Sequence, residues 1–205
     1  MQKPVQSPTG QNVSNWTGQD RERAVQRMFT AIARFYDLNN SLLSFGLHHH
    51  WKRVAGSCVP ATEGGWALDV GAGTGDLAIV MDQRMNHTGH VIAADLNAAM
   101  LQVGLRKIQK LDLCGRITCF QMNAEHLTFS DNVFNTVTAG FCIRNVGNHM
   151  NAFIEIRRVL KPGGRFVCLE FSRPVRPWMR KLYDWYSFHL LPWIGTKVAR
   201  DGTGV

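Results

Sequence analysis

The chain has 205 residues, 45% hydrophobic and 19% charged, which excludes a disordered or collagen-like polymer and suffices for one domain with a full core. Its five cysteines, Cys58, Cys114, Cys119, Cys142 and Cys168, are odd in number and contain no C-x-x-C pair, so reduced thiols in a cytosol-like compartment fit better than a disulfide scaffold. The net charge of +8 is uneven: residues 1–156 carry 13 Lys/Arg against 12 Asp/Glu, and residues 157–205 carry 10 against 3.

Residues 1–20 are polar and poor in large apolar side chains, and they read as a disordered tail without a signal core. Residues 21–205 read as a single domain. A helix capped by Asp20 is expected next, with Val25, Met28, Phe29, Ile32 and Phe35 or Tyr36 at helical spacing. Shorter helices follow Asn39 and surround Trp51, completing a helical segment over 21–63. From Gly64 the pattern changes. Apolar strands are predicted at Trp66–Val70, His90–Ala94, Arg116–Gln121, Val133–Ala139 and Arg165–Phe171, alternating with helices at Asp76–Met85, Ala98–Lys110 and His149–Leu160. Such alternation predicts an α/β domain with a mostly parallel sheet and helices on both faces. L-K-P-G-G-R at 160–165 reads as a turn. No apolar run reaches the roughly 18–20 residues that span a bilayer, so a soluble or peripheral protein is expected. The basic C-terminal stretch 173–205, with Trp178, Tyr183, Trp185, Phe188 and Trp193, is either a solvated face or a patch for an anionic surface. Nucleic acid is not expected, because no binding module accompanies the charge.

Leu68–Asp76 reads L-D-V-G-A-G-T-G-D. A buried strand there ends in Gly71, Gly73 and Gly75, where a tight turn or a ligand against the backbone leaves no room for a Cβ. The dinucleotide fingerprint G-x-G-x-x-G fails at Asp76. The spacing G-x-G-x-G behind Asp69 resembles the first motif of class I S-adenosylmethionine-dependent methyltransferases. Asp95 ends the second strand, 20 residues after Gly75, where a carboxylate accepts both ribose hydroxyls or else caps a helix. Met100 is a core residue or an adenine platform. Asn123-Ala124-Glu125 is a turn or an adenine edge contact, and Gly140 closes the fourth strand at the crevice.

Longer stretches narrow the resemblance. R-M-F-T-A-I-A-R-F-Y-D-L-N-N, G-F-C-I-R-N-V, R-R-V-L-K-P-G-G-R-F-V-C-L-E-F-S-R-P and L-Y-D-W-Y-S-F-H-L-L-P-W-I-G are similar to the ubiquinone/menaquinone biosynthesis C-methyltransferase family over residues 25–200. The resemblance implies a Rossmann-like class I methyltransferase: an N-terminal helical lid, a cofactor core over 64–172 and a basic aromatic segment over 173–205. It implies S-adenosylmethionine as methyl donor, held by Asp69, Gly71, Gly73, Thr74, Gly75, Asp95, Met100, Asn123, Ala124 and Gly140. The substrate would be a prenylated quinol, methylated on a ring carbon. Arg144 would stabilise the phenolate with Asn145 orienting the hydroxyl, and His48, Tyr36 or Asp37 would take the proton.

No metal is expected, because His48, His49 and His50 cannot all face one centre and no carboxylate stands at ligand spacing. Ala72 stands where the family often has Cys or Gly, and Cys142-Ile143 replaces a common Gly-Leu. Family chains continue past the L-P-W-I-G stretch into a closing antiparallel strand pair, so an incomplete sheet edge and self-association into a homo-oligomer are further expectations. The implied place is the cytoplasm, peripheral at the inner face of the membrane, or the matrix side in a mitochondrion, alone or within a quinone-biosynthesis complex. Alternatives are a methyltransferase for another small aromatic acceptor and a catalytically silent assembly subunit of the same fold.

Overall fold

The computed structural model describes residues 18–60, 64–172 and 176. The expected tail at 1–20 lies mostly outside them, and the basic aromatic segment lies there almost entirely. Three helices come first: α1 (Gly18–Ile32), α2 (Tyr36–Leu43) and α3 (Leu47–Ser57), with a single 3-10 turn at Ala33–Phe35 joining the first two. Asp20 sits inside the first turn of α1 and not at its cap, where a carboxylate still complements the helix dipole. The second helix begins at Tyr36 and not after Asn39. Gly46, with φ 75°, reverses the chain into α3.

The core then alternates as expected: β1 (Trp66–Val70), α4 (Asp76–Arg84), β2 (His90–Asp95), α5 (Ala98–Lys110), β3 (Ile117–Gln121), β4 (Phe134–Gly140), α6 (His149–Val159) and β5 (Leu160–Leu169). The sheet order is β3-β2-β1-β4-β5, and every pair is parallel. Alternate residues of the strands feed two cores, as a sheet covered on both faces requires. Leu68, Val70, Ile92, Ala94, Val137 and Ala139 pack toward Ile156 and Val159 of α6. Ala67, Val91, Ala93 and Ile117 pack toward Ala78 and Met81 of α4, Met85 just after it, and Ile108 of α5.

The predicted turn at 160–165 is instead part of β5, with a difference. Phe134 pairs with Leu160 and Thr136 with Arg165, so the intervening Lys161–Gly164 bulge out of register. Gly163, at φ 76°, supplies the left-handed residue that such a bulge needs. Helices α5 and α6 start at asparagine caps. Asn97 accepts from the Met100 N–H at 3.1 Å, and Asn148 from the Met150 and Asn151 N–H groups. Asp95 is therefore no N-cap. Its position at the end of β2 serves the crevice.

Candidate active site

The strand order reverses between β1 and β4, and at this switch point a crevice opens beyond the carboxyl ends of the strands. Its space, counted together with the part open to solvent, is about 730 Å³. Gly71, Gly73, Asp95, Met100, Asn123, Ala124 and Gly140 line it, together with Tyr36 and Asn145. Asp69, Thr74, Gly75, His48, Asp37 and Arg144 are not in the lining.

The glycine loop shows why the motif has its spacing. Gly71, Gly73 and Gly75 all have positive φ, at 66°, 55° and 78°. A Cβ on Gly71 would stand 2.3 Å from Cys142 Cβ, so Cys142 leaves no room for a side chain at that position. Cys142 Sγ lies 3.1 Å from the Val70 carbonyl, to which it donates, and burial pushes its thiol far up. Beneath the loop, Asp69 is fully buried. Its Oδ1 accepts from Thr138 Oγ1 at 2.7 Å while Oδ2 has no partner among the described residues. Burial raises its pKa to about 7 against the opposing pull of Thr138 and Lys52.

Asp95 spans the loop and the next turn. Its Oδ2 accepts from the Gly73 N–H at 2.8 Å and its Oδ1 from the Asn97 N–H at 2.7 Å. Burial raises its pKa, and these two donors oppose the rise. Each oxygen keeps a second lone pair for a ribose hydroxyl. Asn123 accepts from the Glu125 N–H at 2.9 Å, so the triplet is a turn whose side chain also borders the crevice. The lining that sequence reasoning missed comes from α1, with Glu22, Val25, Gln26 and Phe29, and from Leu96, Met122, Cys142, Val146 and Gly147. The α1 residues carry the ordinary signature of a core-facing helix, so no local signal marks them.

Arg144 follows β4 on a 3-10 turn. Its Nη1 donates to Glu170 Oε2 at 3.0 Å, and its guanidinium stands 5.2 Å from the Phe171 ring centre and 5.9 Å from that of Phe141. Phe141 and Phe171 stack at 4.6 Å, with Trp51 of α3 edge-on to both. Phe141 holds φ at 56°, a costly value for an aromatic residue that marks this turn as constrained. Arg144 thus stands beside a crevice wall formed by Phe141 and Asn145.

Asp37 and His48 belong to a polar cluster on the other side of the glycine loop. Thr74 Oγ1 donates to Asp37 Oδ1 at 2.6 Å, and Lys107 Nζ to Asp37 Oδ2 at 2.9 Å. Lys107 also binds Asp76, which pairs with Lys52 at 2.8 Å. Burial acts to raise the Asp76 pKa, but the two ammonium groups outweigh it and leave it at about 2. His48 is buried, with Nδ1 2.9 Å from Ser44 Oγ and Nε2 unpartnered among the described residues. Burial, then His49 and Lys52, lower its pKa, which favours the neutral imidazole. His48, His49 and Asp76 bring ligand-type atoms within 4.8 Å of one another. The sequence showed no such carboxylate partner because Asp76 arrives from a different helix. Lys52 and Lys107 already engage both of its oxygens.

An open parallel sheet in the order 3-2-1-4-5, a G-x-G-x-G loop closing β1 and an acid ending β2 together define a class I S-adenosylmethionine-dependent methyltransferase. Comparison narrows this further. The chain belongs to the ubiE/COQ5 methyltransferase family, whose model matches residues 17–203. It is 43% identical over 182 residues to the ubiquinone/menaquinone biosynthesis C-methyltransferase UbiE of Vibrio cholerae, covering 89% of this chain and 70% of that one. The UbiE of Klebsiella pneumoniae is 41% identical over 90% of this chain and 73% of its own. Among solved structures, the [4+2]-cyclase SpnF superposes with a TM-score of 0.64 at 18% identity, over 85% of this chain and 64% of that one. A likeness of that kind speaks for the fold alone.

Proposed function

We propose that this protein methylates a ring carbon of a prenylated benzoquinol or naphthoquinol in ubiquinone or menaquinone biosynthesis. The observation that carries the reading is Arg144, held by Glu170 and two aromatic faces beside a crevice that the glycine loop and Asp95 also line. When bound, S-adenosylmethionine supplies an electrophilic sulfonium methyl and leaves as S-adenosylhomocysteine. In the balanced reaction a carbon–carbon bond forms, the sulfur–methyl bond breaks and the ring releases one proton. The scheme calls for no metal, because ionisation of the neighbouring hydroxyl already makes the ring carbon nucleophilic.

The protein's tasks are positional and electrostatic. Gly71, Gly73 and Gly140 let the cofactor approach backbone, Asp95 accepts from the ribose hydroxyls, and Met100, Asn123 and Ala124 border the adenine. Asp69, Thr74 and Gly75 set the loop from behind. Arg144 stabilises the phenolate, and Asn145, in the lining, orients the hydroxyl or a water. Loss of the ring proton restores aromaticity, so a weak acceptor suffices. Tyr36 fits this role because it lines the crevice, whereas Asp37 and His48 are engaged in the cluster behind the loop. In this reading α1–α3 form a lid over the core. Peripheral contact with an anionic membrane suits a substrate that resides in lipid, and no helix among the described residues is long and apolar enough to cross one.

The test is calorimetric titration with S-adenosylmethionine, followed by methyl transfer to demethylated quinols against unprenylated phenols. Asp95→Ala is expected to weaken cofactor binding by about 1–3 kcal/mol, the scale of lost hydrogen bonds to a charged group. Turnover restricted to the prenylated quinols supports the reading. Equal turnover of simple phenols favours a different acceptor, and a folded protein that binds no cofactor favours an assembly role.

A further inference from the structure

Helix α2 is turned inside out. Its polar residues face the protein: Asp37 meets Thr74 and Lys107, and Ser41, one turn on, bonds the Asp37 carbonyl at 2.8 Å. Its apolar residues face outward. Phe35, Leu38 and Leu42, spaced by three and four positions and hence on one side, are 61%, 56% and 44% exposed. Leu47, at the start of α3, continues the stripe at 51%, and no residue of α2 is buried. A soluble helix with this sequence would ordinarily bury the leucines and expose the aspartate. Here the ion cluster at the glycine loop anchors the polar side, so the apolar side is left outward.

The charges next to this stripe in the chain are basic. Arg34 directly precedes Phe35 and Arg53 follows Leu47 on α3, and both are exposed. Between Glu22 and Glu63 the chain's single acid is Asp37, which is neutralised within the cluster. An apolar ridge flanked by arginines is the pattern of an interfacial helix on anionic lipid. A second copy would bring the same positive charge against itself. The chain's own residues 173–205 are also basic, with 6 Lys/Arg against 2 Asp/Glu. We infer that Phe35, Leu38, Leu42 and Leu47, with Arg34 and Arg53, form the face by which the lid docks on an anionic membrane surface. The lid would thereby open at the lipid plane. The inference gives a surface to the lipid-borne substrate proposed above, but its test uses neither substrate nor cofactor turnover, so the two fail separately.

The experiment is co-sedimentation of the full chain with phosphatidylcholine vesicles, with and without phosphatidylserine, alongside melting curves and light-scattering mass. Wild type is expected to prefer the phosphatidylserine vesicles. Leu38→Ser with Leu42→Ser should lower that partition about tenfold or more, and Arg34→Gln or Arg53→Gln about fivefold each, with melting temperature and mass unchanged. Four results would overturn the inference. Wild type shows no preference for anionic vesicles; the leucine variant partitions like wild type; its melting temperature falls, meaning that the rest of the chain covers the stripe; or its mass halves, meaning that a second copy does.

Discussion

Asp69 shows how one buried carboxylate acts through its surroundings. Its folded pKa of about 7 stands above the ordinary 3.8 because burial disfavours the anion. The folded state therefore holds more protons than the unfolded one between those values. The stability contributed by the protonated form is complete below about pH 4 and is lost as pH rises through about 7. Asp69→Asn removes that titration. Its melting temperature relative to wild type is expected to rise steadily from pH 4 to pH 8, and a flat difference would show that Asp69 is ionised throughout. Residue by residue, Gly71, Gly73 and Asp95 were legible in the sequence because a strand-ending glycine loop and a second strand-ending acid are local patterns. Glu22, Gln26 and Phe29 were not, since nothing short-range distinguishes a helix residue that borders a crevice from one that meets a core.

Among the elements, the contact between α2 and α5 depends on a few charges. Lys107 of α5 holds Asp37 of α2 and Asp76 of α4 together. Lys107→Met keeps the stem but removes the shared cation, and is expected to cost about 1–2 kcal/mol, discounted because both partners are partly exposed. Asp76 has its pKa depressed to about 2, so its stabilising contribution is present above about pH 4 and is lost as pH falls through 2. The deficit of the variant should accordingly be full at neutral pH and shrink in acid, and hydrogen exchange in α2 should quicken. An unchanged exchange rate would mean that α2 is held by aromatic contacts such as Phe29–Tyr36 instead. Similar local economy anchors the loop before β4: Arg158 of α6 donates to Glu155 and Asp131 and to the carbonyls of Leu127 and Phe129. The bulge in β5 escaped the periodic reading because it arises from pairing with β4, a partner distant in sequence, and the 3-10 turn at Ala33–Phe35 escaped it because one tight turn is too short to set a period.

The whole molecule is organised by a sheet with a core on each face, and Phe134 closes one of them. It is fully buried, packs edge-on to Phe129 at 5.0 Å and begins the strand that supplies Gly140 and Phe141 to the crevice. Phe134→Ala is expected to destabilise by about 3–5 kcal/mol, measured by denaturant unfolding, with cofactor affinity of the remaining folded protein nearly unchanged. A selective loss of affinity without loss of stability would show that the strand end is not rigidly held.

The succession of strands and helices, the glycine loop and Asp95 were determined by the sequence alone, because periodicity and turn chemistry act over a few residues and declare themselves locally. Tertiary structure alone decided which strand neighbours which, and so where the crevice opens. It also brought Asp37, Asp76 and Lys107 together, set Arg144 on Glu170 and turned the leucines of α2 outward. These arrangements follow from how distant faces are buried against one another and how their charges are compensated, and neither is written in the spacing of any one segment.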